Sequence, residues 1–181
     1  MNISVVKRNG VVEPLNLDKI HTMVEYACTD LAGVSESQVE MNSNIQFYDQ
    51  IETSDIQEIL IKSANDLISL DTPNYQYVAA RLLLFGLRKQ VYKGHPDNPP
   101  VLKDHVENCI TQGVYDPSLL KVYSESEWQE LNGYIDYDRD YMFTYAGLRQ
   151  VADKYLVQDL SLIHISEPTR QAEISYAVFC L

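Results

Sequence analysis

The 181-residue chain carries a formal net charge of −12, which points away from a nucleic-acid partner, because a long phosphate backbone would be repelled by most of the surface. Apolar residues make up 45%, enough for the core of one domain or two small ones, and no apolar run approaches the roughly 20 residues that span a bilayer. Cys28, Cys109 and Cys180 show no CxxC spacing, and Met1-Asn2-Ile3-Ser4 opens no signal peptide, so the expected setting is the reducing cytoplasm, with no membrane partner.

Residues 3–7 and 11–15 read as two short strands joined at Asn9-Gly10, a pair that tolerates positive φ and is the strongest short hairpin signal. Asn16 is an N-cap for a first helix with Ile20, Val24, Ala27 and Leu31 on one face. A second, weaker helix starts at Ser35 and runs through Val39. The third has Ser54 and Gln57 in an S-x-x-Q capping box ahead of Ile56, Ile59, Leu60, Ala64, Leu67 and Ile68. Thr72-Pro73 opens the fourth, with proline at the first helical position, a stripe of Tyr75, Val78, Ala79, Leu82 and Phe85, and an end at Gly94. A hairpin and four helices make a complete small domain over residues 1–93. The proline-rich stretch at 94–100 is the linker, and 101–155 reads as several short helices rich in aromatics, including Trp128. Asp136-Tyr137-Asp138-Arg139-Asp140 lacks the glycine and distal glutamate of a calcium loop and reads as a solvated or ion-paired turn.

Against the acidic whole, three basic islands stand out: Val6-Lys7-Arg8-Asn9-Gly10, Asn16-Leu17-Asp18-Lys19-Ile20 and Leu87-Arg88-Lys89-Gln90. If the fold brings them together, they form a local pocket for a compact polyanion such as a nucleoside triphosphate. The Asn16-capped helix start offers N–H groups and a positive dipole end. Lys7, Lys19 and Lys89, helped by Arg8, supply charge-assisted bonds to phosphates. Thr53 brings a hydroxyl suited to phosphate oxygens or magnesium-bound water. Glu13 and the backbone around Leu15 suit the amino group and ring nitrogens of adenine. Singly, a surface lysine is usually only solvated, Thr53 a cap, and Leu15 and Leu17 packing residues; the joint pattern carries the argument.

Those motifs, with Glu13-Pro14-Leu15-Asn16-Leu17-Asp18-Lys19-Ile20, Thr53-Ser54-Asp55-Ile56 and Tyr77-Val78-Ala79-Ala80-Arg81-Leu82, resemble an ATP-cone. From Ser4 to about Asp159, through Tyr141-Met142-Phe143-Thr144-Tyr145-Ala146 and Lys154-Tyr155-Leu156-Val157-Gln158, the chain is similar to the amino-terminal part of the large (α) subunit of class I ribonucleotide reductase. The resemblance implies a mainly α fold with a small β-hairpin, followed by a helical segment (101–159) that precedes an absent catalytic α/β barrel. It implies that ATP keeps the enzyme active and dATP switches it off, with Mg2+ accompanying the nucleotide. The family motif carries over to Lys7, Glu13, Pro14, Leu15, Asn16, Leu17, Asp18, Lys19, Thr53 and Lys89. Asp55, beside Thr53, is placed to sense which nucleotide is bound. Gln57 and Gly86 stand where some family members have histidines near the pocket, which leaves discrimination between ATP and dATP open. Implied partners of the full-length protein are a small radical-generating β subunit, a second α chain, and thioredoxin or glutaredoxin as reductant.

No catalytic residue or metal site is expected in this stretch: the reductase cysteines belong to the barrel, and no Ser/His/Asp or metal-ligand cluster occurs among the four histidines. Cys28 and Cys109 read as small core residues. Residues 160–170 and 174–181 resemble a translated sequencing-library adapter, so 160–181 is expected to be a non-native tail. Two other classes remain open. A transcriptional regulator built on an ATP-cone has a zinc ribbon before the cone, and no cysteine pair precedes Cys28 here. A helical interaction module without a ligand would leave the basic islands unexplained.

Overall fold

The computed structural model describes residues 3–7, 10–92 and 98–156; Arg8, Asn9, most of the expected linker and the whole of 160–181 lie outside the described residues. The chain divides into two compact units. One takes the described residues of Met1–Leu87 together with Tyr141–Leu156, and the other those of Arg88–Asp140.

The first unit begins with β1 (Ser4–Val6) and β2 (Val12–Pro14), paired antiparallel. A two-residue Asn9-Gly10 turn would set residue 8 against residue 11. The observed register is Val6 against Val12, extended by the Lys7 N–H donating to the Val11 carbonyl at 2.8 Å. The Gly10 N–H donates to the Lys7 carbonyl at 2.8 Å, with Gly10 at φ +79°. The one-residue difference sets Glu13 opposite Val5 rather than Val6, and so on the face of Lys7.

Helix α1 (Leu17–Cys28) follows its Asn16 cap and buries Ile20, Val24, Ala27 and Cys28 at four- and three-residue steps. Helix α2 (Glu36–Asn44) buries only Val39 and Ser43. Sequence periodicity did not reveal β3 (Ile51–Glu52), two residues long, which pairs parallel with β1, Val5 opposite Ile51 and Val6 opposite Glu52. Pairing holds Glu52 extended, so α3 (Thr53–Asp66) starts at Thr53 and the expected capping box at Ser54 does not form. The Ser54 hydroxyl instead donates to the Glu52 carboxylate (3.1 Å), and the Gln57 amide donates to the Leu82 carbonyl (2.7 Å). Helix α4 (Tyr75–Val91) starts two residues beyond Pro73, whose carbonyl accepts the Gln76 N–H at 3.2 Å, while the Thr72 hydroxyl is tied back to the Leu67 carbonyl at 2.8 Å. Its expected end, Gly94, lies outside the described residues.

The core of this unit joins Val5 and Ile51 from the sheet to Val24, Leu60, Ile61, Val78 and Leu82 from the helices. Helix α8 (Tyr145–Lys154), which belongs to the same unit, adds Leu148 and Ala152. The Tyr141 ring lies under the Arg81 guanidinium (5.6 Å), and its hydroxyl meets that of Tyr26 at 2.6 Å. Arg81 also donates to the Ala27 and Thr29 carbonyls (3.3 and 2.6 Å), satisfying the carboxyl end of α1.

The second unit packs α5 (Leu102–Thr111), the short α6 (Leu119–Val122) and α7 (Glu125–Tyr134) around Leu102, Val106 and Trp128. Within its acidic run Asp136–Asp140, Asp136 pairs with Arg139 at 3.8 Å and Asp140 with Arg88. Asp140 is buried against Arg88 at 2.7 Å, and Arg88 also donates to the Tyr137 carbonyl (2.8 Å). Burial raises the Asp140 carboxyl above its ordinary pKa even against that guanidinium. Among the described residues no helix is long and apolar enough to cross a membrane, and Cys28 and Cys109 form no disulfide.

Candidate functional site

Sheet register assembles the first part of the site. Directly opposed residues share a face, so Glu13 lies on the face of its partner Val5, and Lys7, two residues beyond Val5, lies on it as well. Thr53 follows the Glu52 partner of Val6, at the point where β3 becomes α3. Three segments distant in sequence are thereby brought onto neighbouring strands, in the order β2-β1-β3. The Lys7 ammonium reaches Glu13 Oε2 at 2.7 Å, and the Lys19 ammonium lies 3.8 Å from Oε1. Lys7, followed by Lys19, holds the Glu13 carboxyl below the usual carboxylate range.

Beside this triad a cavity of about 570 Å³ is lined by Glu13, Pro14, Leu15, Asn16, Leu17, Asp18 and Lys19, one unbroken stretch of chain. It is a shallow depression, wide open to solvent. Leu17 is exposed, so it contributes apolar surface to the cavity wall rather than to the core. The Leu15 N–H is committed to the Ile3 carbonyl (2.9 Å). Asn16 is the N-cap expected of it, and the cap takes up donors at the helix start. Its Oδ1 accepts the Asp18 and Lys19 N–H groups at 2.9 and 3.2 Å, so two of the first-turn donors already serve the cap. An anion at this helix start would have to share them, with Asp18 adding a negative charge in the first turn. The cationic weight of the cavity therefore falls on Lys7 and Lys19.

Thr53 is half-buried as the first residue of α3. Asp55 is exposed and accepts a hydrogen bond from the Tyr48 hydroxyl at 3.1 Å, which raises the tyrosine pKa. Nothing in the sequence flags Tyr48. Lys89 is exposed on the last turn of α4, beyond Leu87 and so within the second unit. Arg8 lies outside the described residues. Gln57 and Gly86 touch: a Cβ at Gly86 would stand 3.4 Å from Gln57 Cγ. Among the described residues no group of three or more His, Cys, Asp or Glu is placed to hold a metal ion.

The segments that build this site also carry the family relationship. Residues 3–90 match the family model of the ATP cone domain, which takes in β1 to β3 and all but the last residue of α4. Residues 3–90 are an ATP cone domain. Such a domain is a nucleotide-effector module, and Lys7, the Glu13–Lys19 stretch, Thr53 and Lys89 all fall inside the matched span. Over the cone and the residues that follow it, the chain is similar to ribonucleoside-diphosphate reductase 1 subunit alpha of Escherichia coli, 51% identical over 158 residues, covering 87% of this chain and 20% of that protein. The ribonucleoside-diphosphate reductase subunit alpha of Haemophilus influenzae is likewise 51% identical over 158 residues, with 87% and 21% covered. Ribonucleoside-diphosphate reductase 1 subunit alpha of Salmonella typhimurium is 49% identical over the same length, with 87% and 20% covered. The chain thus spans about a fifth of the length of these curated relatives.

Proposed function

We propose that this chain is the allosteric amino-terminal region of a ribonucleoside-diphosphate reductase α subunit, binding ATP and dATP as effectors. The observation that carries it is the cavity walled by residues 13–19, with the Lys7 and Lys19 ammonium groups meeting at its edge, inside a matched ATP cone. Lys7, Lys19 and Lys89 take the phosphates, Lys89 on the family pattern. Glu13, Pro14, Leu15, Asn16 and Leu17 enclose the nucleoside. Thr53 offers a hydroxyl that suits phosphate oxygens or water on a Mg2+ ion carried in with the triphosphate. In domain terms, 1–93 is the cone, 94–100 a linker, 101–159 the helical segment ahead of a barrel, and 160–181 a non-native adapter-derived tail.

The whole protein would reduce ribonucleoside diphosphates to deoxyribonucleoside diphosphates in the cytoplasm, as a homodimer served by a radical-generating β subunit and by thioredoxin or glutaredoxin. The cone contributes no catalytic group. Its nucleotide acts by changing how α meets its partners, and reciprocity requires that the inhibited assembly bind dATP more tightly in turn.

Calorimetry with ATP and dATP on the 181-residue chain, with Mg2+ present, tests the reading. Lys89→Ala should weaken binding by about 1.5–3 kcal/mol, the range for a hydrogen bond to a charged group, or roughly 10- to 150-fold in Kd. Absent binding by the wild type, or binding unchanged in the Lys7→Ala, Lys89→Ala double variant, would overturn the site.

A further inference from the structure

We propose that Glu13 is a built-in competitor for phosphate, a carboxylate that occupies Lys7 and Lys19 and so makes the cavity select nucleotides over inorganic polyphosphate. The inference rests on the nucleotide reading above and concerns which anions gain entry. Each Glu13 oxygen takes a different lysine, Oε2 the Lys7 ammonium at 2.7 Å and Oε1 the Lys19 ammonium at 3.8 Å. The glutamate side chain is the least exposed of the three, 32% against 41% for Lys7 and 70% for Lys19.

Charge arithmetic gives the consequence. The Lys7 and Lys19 ammonium groups sum to +2, and the Glu13 and Asp18 carboxylates to −2, so this edge of the cavity carries no net charge as built. A polyphosphate approaching a body of net charge −12 gains attraction here only by displacing Glu13 from the lysines. The displaced carboxylate then stands beside a second anion. An inorganic polyphosphate gives it nothing to bond. A nucleobase with an exocyclic amino group supplies an N–H donor, so the nucleotide compensates the carboxylate that its own phosphates dislodge. Selectivity of this kind comes from penalising the wrong ligand rather than from added contacts to the right one.

The test uses the full chain with two probes, sodium tripolyphosphate and ATP, titrated by calorimetry into wild type, Glu13→Gln and Asp18→Asn. Glu13→Gln should bind tripolyphosphate about fivefold more tightly, the upper end for releasing an exposed ion pair. Its preference for ATP over tripolyphosphate should fall, because no displaced carboxylate remains for the base to compensate. Asp18→Asn removes an equal charge from the cavity wall but frees no lysine, and should change tripolyphosphate binding by clearly less. Equal gains in the two variants would mean general charge repulsion, and an unchanged or weaker tripolyphosphate affinity in Glu13→Gln would likewise overturn the proposal. Glu13→Asp, too short to hold both lysines, provides the same comparison if the glutamine variant misfolds. If the wild type binds neither ATP nor dATP, the nucleotide reading fails, while the tripolyphosphate comparison still decides whether Glu13 competes.

Discussion

Gly86 lies inside α4, where its missing side chain exposes backbone and adds freedom to the unfolded chain. Its φ is not in the left-handed region, and a Cβ there would meet Gln57 Cγ at 3.4 Å, an ordinary contact with a flexible side chain. Gly86→Ala should therefore stabilise the protein by about 0.5–1 kcal/mol, read as a rise in urea midpoint at constant slope. A loss of stability would show that the Gln57 amide, already bonded to the Leu82 carbonyl at 2.7 Å, cannot yield even a few tenths of an ångström. The same change at Gly10 meets open space but a φ of +79°, so strain, not crowding, decides the outcome there.

Among the helices, α2 depends most on its neighbours. Ser35 caps it without a side-chain hydrogen bond, and it buries only Val39 and Ser43. Tyr75 at the start of α4 makes up the deficit. Its buried hydroxyl accepts the Ser35 N–H (2.8 Å) and donates to Gln38 Oε1 (2.8 Å), fixing the first turn of α2 from outside. Tyr75→Phe keeps the ring and leaves both partners stranded beneath it. The expected cost is about 1–3 kcal/mol, the desolvation of buried polar groups left unpaired. Denaturant unfolding measures it, and amide exchange should show α2 losing protection before α3. A neutral substitution would mean that water enters and replaces the hydroxyl.

At the scale of the whole molecule, the proposed foreign origin of residues 160–181 has a consequence for stability. On the proposal that 160–181 was never selected to pack against the rest, deleting it should leave the thermal midpoint unchanged or raised. A fall of about 4–8 °C, the shift that about 1 kcal/mol produces in a 60–100-residue domain, would mean that the tail is native and contributes to stability. Among charged side chains, removing it takes away only Glu167, Arg170 and Glu173, so nucleotide affinity measured on the shortened chain should match that of the full one.

Sequence alone settled the features that depend on near neighbours. Asn16 as a cap, the apolar step from Ile20 to Val24 to Ala27, and the long stripe of α4 follow from helical geometry acting over three or four residues. The residues lining the cavity were legible for a related reason, since they form one continuous stretch from Glu13 to Lys19. What pairing across the fold decides was hidden. A two-residue β3 has no periodicity to detect, yet its ladder with β1 moves the start of α3 to Thr53 and breaks the expected capping box. Asn-Gly signals a hairpin without fixing its loop length, and only the 6-to-12 register puts Lys7 on the face of Glu13. Helix starts and apolar stripes come from local backbone geometry. Which charges meet is fixed by strand register, where a slip of one residue turns a side chain to the opposite face.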